Sequence, residues 1–269
     1  MSIKSYLKNK IQKTIIVPEK VVVTSDSILS GKRVLIVGGS GGIGSAIAEK
    51  CIKSGASVIV TGTKNQTLQE ISSRINCDIY MLDVNRIDTI DQNLEEIVRI
   101  YGPLDILVYS AGIHGADAFG SVTEETFDSV MNVNLKGMYF ICQAFSNYLI
   151  SNKRHGHILT IGSASSAKPG WTPYEISKAA VKSLTLGFAD KLISHGIVVN
   201  SIAPGPVATK MLNRESDIDI KWECNPSGRM STPEEIANLA IIMISDAGNM
   251  IVGDTYYISG GSGTICTDK

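Results

Sequence analysis

Seven short runs rich in β-branched residues recur along this chain: "RVLIVG", "SVIVTG", "DIYMLDV", "LDILVYSAG", "GHILTIGS", "IVVNSIAPG" and "DTYYISGG". Stretches long enough for helices separate them. Near-continuous apolar runs suit strands buried on both faces, and the intervening lengths allow right-handed crossovers. The pattern predicts an α/β fold: a Rossmann-like, doubly wound sheet of about seven parallel strands with helices on both faces. "SAIAEKCIKSG" and "AAVKSLTLGFADKLISHG" are the clearest helices, each ended by a glycine able to serve as C′. The regular pattern starts at Gly31. Residues 1–30 therefore read as an N-terminal extension with one candidate strand, "KVVVT", and 31–269 as a single Rossmann-type domain. The apolar stripe of "KVVVTSDSILSGK" predicts that this part of the extension lies against the body.

Such a sheet gathers the loops that follow its strands on one edge. Here the polar and glycine-rich motifs all follow a strand: Gly38–Gly44, Thr61–Lys64, Asp83, Ser110–Gly112, Gly162–Ser166 and Pro204–Thr209. They are expected to line one crevice.

"RVLIVGGSGGIGSAIAEKC" is strand, glycine loop, helix, with Gly38, Gly42 and Gly44 spaced GxxxGxG. Glycines permit a tight turn and leave the backbone N–H groups of a helix start open to a pyrophosphate. No Gly-Lys-Ser/Thr follows, which argues against a nucleoside-triphosphatase loop. The second strand ends "VIVTGTKN", with Gly62 and Thr63 where an NAD site usually carries a carboxylate, and Lys64 next. An uncharged end beside a lysine accepts a 2′-phosphate. NADP(H) is therefore the preferred cofactor and NAD(H) the alternative. Asp83 either hydrogen-bonds the adenine amine or caps the segment starting near Arg86.

"WTPYEISK" places Tyr174 and Lys178 four apart, on one face of a helix opened by Pro173. A phenol titrates near 10 in water, and a neighbouring ammonium favours its phenolate. Tyr174 can then give a proton to a carbonyl oxygen as hydride arrives, with Ser163 hydrogen-bonded to the same oxygen and Lys178 also reaching the nicotinamide ribose.

With these residues in place, the sequence resembles the short-chain dehydrogenase/reductase family along nearly all of residues 31–262. The glycine motif begins Val37-Gly38 instead of Thr-Gly. The family's Asn-Asn-Ala-Gly becomes "YSAG": Tyr109 and Ser110 replace the asparagines whose amides usually brace the central sheet. Asn134 in "MNVNLKG" corresponds to the asparagine said to hold a helix kink and a water of the proton relay. Ser163 and Tyr174 stand eleven apart where many members have thirteen, so "ASSAKPGWTP" is a trimmed substrate-side loop in which Ser165 or Ser166 can share the role of Ser163. "APGPVAT" and "RMSTPEEIANLAIIMISD" match further family segments. The resemblance implies catalytic roles for Asn134, Ser163, Tyr174 and Lys178. It implies cofactor contacts at Gly38, Ser40, Gly41, Gly42, Ile43, Gly44, Thr63, Lys64, Asp83, Val84, Ala111, Gly112, Pro204, Gly205, Val207 and Thr209, with Tyr174 and Lys178 shared.

The C-terminal half resembles the 3-oxoacyl-[acyl-carrier-protein] reductase group most. That implies a small carbonyl or alcohol substrate, thioester-linked in that group, with a sugar derivative as one alternative and a non-catalytic dinucleotide-binding protein as another. Residues 210–230, mixing Met211, Leu212 and Trp222 with Asp217, Asp219 and Lys221, form the substrate-covering segment and leave that choice open. A homotetramer or dimer is implied, built on helices near Leu135 and Tyr174.

Composition removes other classes. The formal net charge is -1, giving no field for nucleic acid. No window reaches membrane-spanning length in apolar residues, and the basic start lacks the apolar core of a secretion signal. A cytoplasmic protein without membrane or nucleic-acid partners is expected. The 5 cysteines, an odd number without CxxC spacing, read as buried free thiols. The 4 histidines are scattered, and His155 and His157 lack a carboxylate partner nearby, so no metal is expected and surface histidines are.

Overall fold

The computed structural model describes residues 27–115, 117–209 and 220–265. Each expected run forms a strand: β1 (Arg33–Val37), β2 (Ser57–Gly62), β3 (Asp78–Met81), β4 (Ile106–Tyr109), β5 (Gly156–Ile161), β6 (Ile197–Pro204) and β7 (Thr255–Ile258). They pair in parallel, in the order β3-β2-β1-β4-β5-β6-β7.

Strand periodicity divides the core in two. Val34 and Ile36 of β1 enter one cluster, Leu35 and Val37 the other. The first is covered by α1 (Gly42–Lys53), α2 (Asn65–Ile75) and, at the far end of the chain, α7 (Pro233–Met243), through Ile47, Leu68 and Ile236. The second is covered by α3 (Ile90–Tyr101), α5 (Met138–Ser151) and α6 (Pro173–Leu192), through Ile97, Phe145 and Val181. Before α5, α4 (Glu124–Met131) runs into a π-helical turn, Asn132–Gly137. Fully burying a side chain such as Leu35 or Phe145 stabilises by about 1.5–3 kcal/mol, so this two-sided core dominates the fold's energetics. Because β1 has β2 on one side and β4 on the other, the loops leaving β1 and β4 diverge. They open a crevice at the C-terminal edge.

Gly55 follows α1 and Gly196 follows the turn after α6, both at positive φ, as the sequence predicts. Leu29 is fully buried and its N–H bonds the Ser54 carbonyl at 3.0 Å, so the end of the extension packs on the body. "KVVVT" lies outside the described residues.

Two expectations need correction. Cys51, Cys77 and Cys142 are buried, but Cys224 is exposed. It sits in a turn closed by the Trp222 N–H to Gly228 carbonyl bond, where no core reaches it. Cys266 lies outside the described residues. His157 is no surface histidine: paired with Ile106 inside the sheet it is 7% exposed, and burial pushes its pKa down to about 4. His155, two residues earlier, is exposed.

Candidate active site

The glycine loop is built for close approach. Gly38 has φ +75, and a Cβ there would stand 2.5 Å from the Ala111 backbone, so only glycine lets the loops after β1 and β4 meet. A Cβ on Gly42 would stand 2.6 Å from Cγ2 of Thr209, which shows the loop after β6 lying over the start of α1. Gly41 is the N-cap, no side chain caps the helix, and its first turn carries no acid. Gly41 and Gly42 are exposed. Uncapped N–H groups at the positive end of the helix dipole fit a pyrophosphate.

The remaining predicted cofactor residues lie on the segments that follow β1, β2, β3, β4 and β6, at the same edge of the sheet. Ser40 flanks Gly62, whose Cβ would stand 3.2 Å from the Ser40 hydroxyl. Thr63 and Lys64 are exposed, with Lys64 at the N-cap of α2. Asp83 is exposed and one carboxylate oxygen accepts the Asn85 N–H at 2.9 Å, forming a local turn. It does not cap the short helix that follows, whose N-cap is Arg86 and which has no side-chain cap. Ile43 packs on the first core cluster. Val84 is buried against Gly137, leaving only its backbone for a ligand. Pro204 ends β6, Gly205 donates its N–H to the Ile258 carbonyl at 2.9 Å, and Val207 is buried. Ala111 and Gly112 are half-buried beside Gly38 and Lys178 respectively. Of the substrate-covering segment, residues 210–219 lie outside the described residues, and the Lys221–Arg229 pairing closes the rest as a hairpin.

Local chemistry places the reacting residues. Ser163 follows β5 as the N-cap of a short turn, Ala164–Ala167, and its hydroxyl accepts the Ser165 N–H at 3.1 Å. Ser166 donates to the Ser163 carbonyl at 2.8 Å and meets the Tyr257 hydroxyl at 3.2 Å, so its hydroxyl is engaged away from Ser163 Oγ. The helix bearing Tyr174 begins with a capping box. Thr172 Oγ1 accepts the Glu175 N–H at 3.1 Å, the Glu175 carboxylate accepts the Thr172 and Trp171 N–H groups, and Pro173 fills the first helical position. Lys168 adds an ion pair to Glu175 at 3.4 Å.

Tyr174 accordingly sits half-buried one helical turn before Lys178. Lys178 is 4% exposed, and its Nζ donates to the Ile161 carbonyl at 2.9 Å and stands 5.7 Å from the centre of the Tyr174 ring. Burial pushes Lys178 down to about 8. The direction predicted for the phenol is corrected here: burial raises Tyr174 above its ordinary value, against the pull of a hydrogen bond with Ser163. Desolvation penalises the phenolate more than the Ser163 hydrogen bond favours it. A phenol held protonated is the form that gives a proton to a carbonyl.

Asn134 is fully buried in the π-helical turn. Its side chain accepts the Ile113 N–H at 2.8 Å and donates to the Ile113 carbonyl at 2.9 Å and to Ser177 Oγ at 3.1 Å. Gly112 is held between Asn134 and Lys178: a Cβ there would stand 3.5 Å from both Oδ1 and Nζ.

Two side chains escaped the sequence reading. His114 lies against the Tyr174 ring, centroids 4.4 Å apart, with its Nδ1 at 2.7 Å from the Gly115 carbonyl. Its only signal was its place two residues after Gly112. Tyr109, read as the loss of an amide brace, is fully buried and donates its hydroxyl to the Val133 carbonyl. A phenol thus bridges the sheet to the turn carrying Asn134.

Among the described residues no group of three histidines, cysteines or carboxylates could hold a metal, and no helix is long and apolar enough to cross a membrane. A family model described as enoyl-(acyl carrier protein) reductase matches residues 38–263. The 3-oxoacyl-[acyl-carrier-protein] reductase of Thermotoga maritima is 34% identical over 242 residues, covering 87% of this chain and 98% of that protein. A short-chain type dehydrogenase/reductase from Mycobacterium marinum superposes with TM-score 0.81 at 32% identity, over 89% of this chain and 97% of that one. A gluconate 5-dehydrogenase from Burkholderia cenocepacia, in complex with NADP and tartrate, gives TM-score 0.81 at 28% identity, over 90% of this chain and 99% of that one.

Proposed function

The chain belongs to the short-chain dehydrogenase/reductase family, and from that premise we propose that it is an NADP-dependent oxidoreductase interconverting a ketone and a secondary alcohol. The observation that carries the proposal is the placing of Ser163 and of Tyr174, one turn before a buried Lys178, at the sheet edge that also bears an uncapped glycine-loop helix. The cofactor, when bound, supplies hydride to the carbonyl carbon. Gly42 and Ile43, at the open helix start, would present their N–H groups to its pyrophosphate, while the Gly41 N–H closes the loop turn on the Gly38 carbonyl at 3.2 Å. Ser40, Thr63 and Lys64 receive the 2′-phosphate, Asp83 the adenine amine, and Thr209 the carboxamide.

The chain's own residues handle the proton. Ser163 O–H donates a hydrogen bond to the substrate oxygen and fixes its position. Tyr174 O–H gives its proton to that oxygen as negative charge develops, or removes it from an alcohol in reverse. Lys178, with a pKa of about 8, holds a proton that can replace the one lost. Asn134, tied to Ile113 and Ser177, holds the relay's outer end.

The 34% identity to a 3-oxoacyl reductase makes a 3-oxoacyl thioester the first substrate class. A sugar acid is the second reading, favoured by the hydrogen-bonding edge of His114 beside Tyr174 and by the likeness to a gluconate 5-dehydrogenase. Steady-state NADPH oxidation against 3-oxoacyl thioesters, keto-sugar acids and simple diketones separates them. NADPH binding with no turnover on any of these would favour a non-catalytic dinucleotide-binding protein.

Cofactor preference gives a sharper expectation. NADPH should bind more tightly than NADH, and Gly62→Asp should weaken NADPH about tenfold or more, since a carboxylate beside the Ser40 hydroxyl repels a 2′-phosphate and suits a 2′-hydroxyl. Fluorescence titration of both cofactors checks it; tighter NADH binding by the unmodified protein would sink the claim.

Assembly into a tetramer or dimer is supported by apolar side chains left uncovered on the helices named for it: Tyr139 on α5, and Ile176 and Leu186 on α6, with Leu186 62% exposed. Light scattering at micromolar concentration is expected to give a multiple of the 28.8 kDa chain mass. A stable monomer would remove this part of the reading.

A further inference from the structure

We propose that Tyr109 is a positioning residue of the reaction, acting through the π-helical turn that carries Asn134. The proposal rests on the relay role given to Asn134 above.

Tyr109 closes β4 and is fully buried, yet its hydroxyl is not left idle: it donates to the carbonyl of Val133, the residue before Asn134. A single π turn widens a helix and takes carbonyl groups out of the regular ladder, which is costly in a dry interior unless a donor meets them. Tyr109 provides that donor from the sheet. Burial holds its phenol far above the ordinary range, so it remains a donor at any working pH.

The turn is also gripped from other sides. Val84 packs on Gly137, where a Cβ would come within 2.7 Å of it. Asn134 itself bonds both backbone groups of Ile113 and the hydroxyl of Ser177, which in turn donates to the Tyr174 carbonyl at 2.7 Å. The register of the π turn therefore decides where Asn134 stands relative to Gly112, Lys178 and the helix start bearing Tyr174. Tyr109 fixes that register from beneath, through a hydroxyl that can be removed without emptying the ring's space.

Tyr109→Phe keeps the ring and deletes the hydroxyl. Turnover of acetoacetyl-coenzyme A, or of the best ketone in the panel, is expected to fall about tenfold, with KM for ketone and NADPH changed less than about twofold. Amide exchange across residues 132–138 should quicken about tenfold in the cofactor-free protein, while β7 keeps its protection. The decisive measurement is a double-mutant cycle. In an Asn134→Ala background, Tyr109→Phe should change kcat by less than about twofold, because its route to the chemistry is already gone.

Additive losses, or unchanged kcat and exchange in the single variant, would overturn the proposal. If Asn134→Ala alone keeps wild-type turnover, the relay reading fails first, and Tyr109 loses its route for that separate reason. Should Tyr109→Phe not fold, Tyr109→Met, which also deletes the hydroxyl donor but keeps most of the buried volume, enters the same cycle with the same expectation.

Discussion

Tyr174→Phe is expected to lower carbonyl reduction by about 10²–10⁴-fold while NADPH binds nearly as before. The substitution removes one hydroxyl and leaves the ring against His114, the capping box at Thr172 and the Lys178 bond to Ile161. What disappears is the proton that neutralises the substrate oxygen in the transition state, so kcat should fall with little change in cofactor affinity. The raised pKa of Tyr174 sharpens the expectation. A phenol that burial keeps protonated is ready for reduction at neutral pH, whereas alcohol oxidation needs the phenolate and should quicken as pH rises. Turnover in both directions across a pH series tests both halves. Wild-type reduction by Tyr174→Phe would mean that another group is the acid.

Lys178→Ala should lose more than turnover. Its Nζ is buried, bonded to the Ile161 carbonyl, and is the proposed contact to the nicotinamide ribose as well as the proton source behind Tyr174. Deleting it is expected to cut kcat about 10²-fold or more and to weaken NADPH about tenfold, and it leaves the Ile161 carbonyl without this donor. Paired fluorescence titration and turnover separate the two roles. Loss of kcat with unaltered NADPH affinity would confine Lys178 to the proton relay. A melting curve alongside shows whether an unsatisfied buried carbonyl has also weakened the fold.

The contrast between Tyr174 and Tyr109 shows what could be read before folding. Strand runs, crossover lengths and the eleven-residue step from Ser163 to Tyr174 are local or periodic, and so the sheet and the reacting residues were legible. The direction of the Tyr174 shift was not, because it depends on how much protein closes over the phenol, including His114 from a loop distant in sequence. In sequence Tyr109 is only a missing amide, because the Val133 carbonyl that its hydroxyl meets is 24 residues away. His114 has no period to betray it, since a loop residue's neighbour is set by where the next loop lies. His157 failed for a related reason: "GHILTI" is buried at every position, and a strand covered on both faces gives no alternation to mark its polar member.

The clasp formed by Thr172, Glu175 and Lys168 separates two properties that loops usually mix. It fastens the chain at Trp171 and Thr172, so the stretch from Ala167 to Gly170 is bounded by anchored ends. Two residues inserted there would add only a small closure entropy and need not displace Tyr174. The molecule is in this sense modular. Ser163 is bolted to the end of the sheet and Tyr174 and Lys178 to the helix, and the span between them is a separate fitting whose length can change without unseating either end.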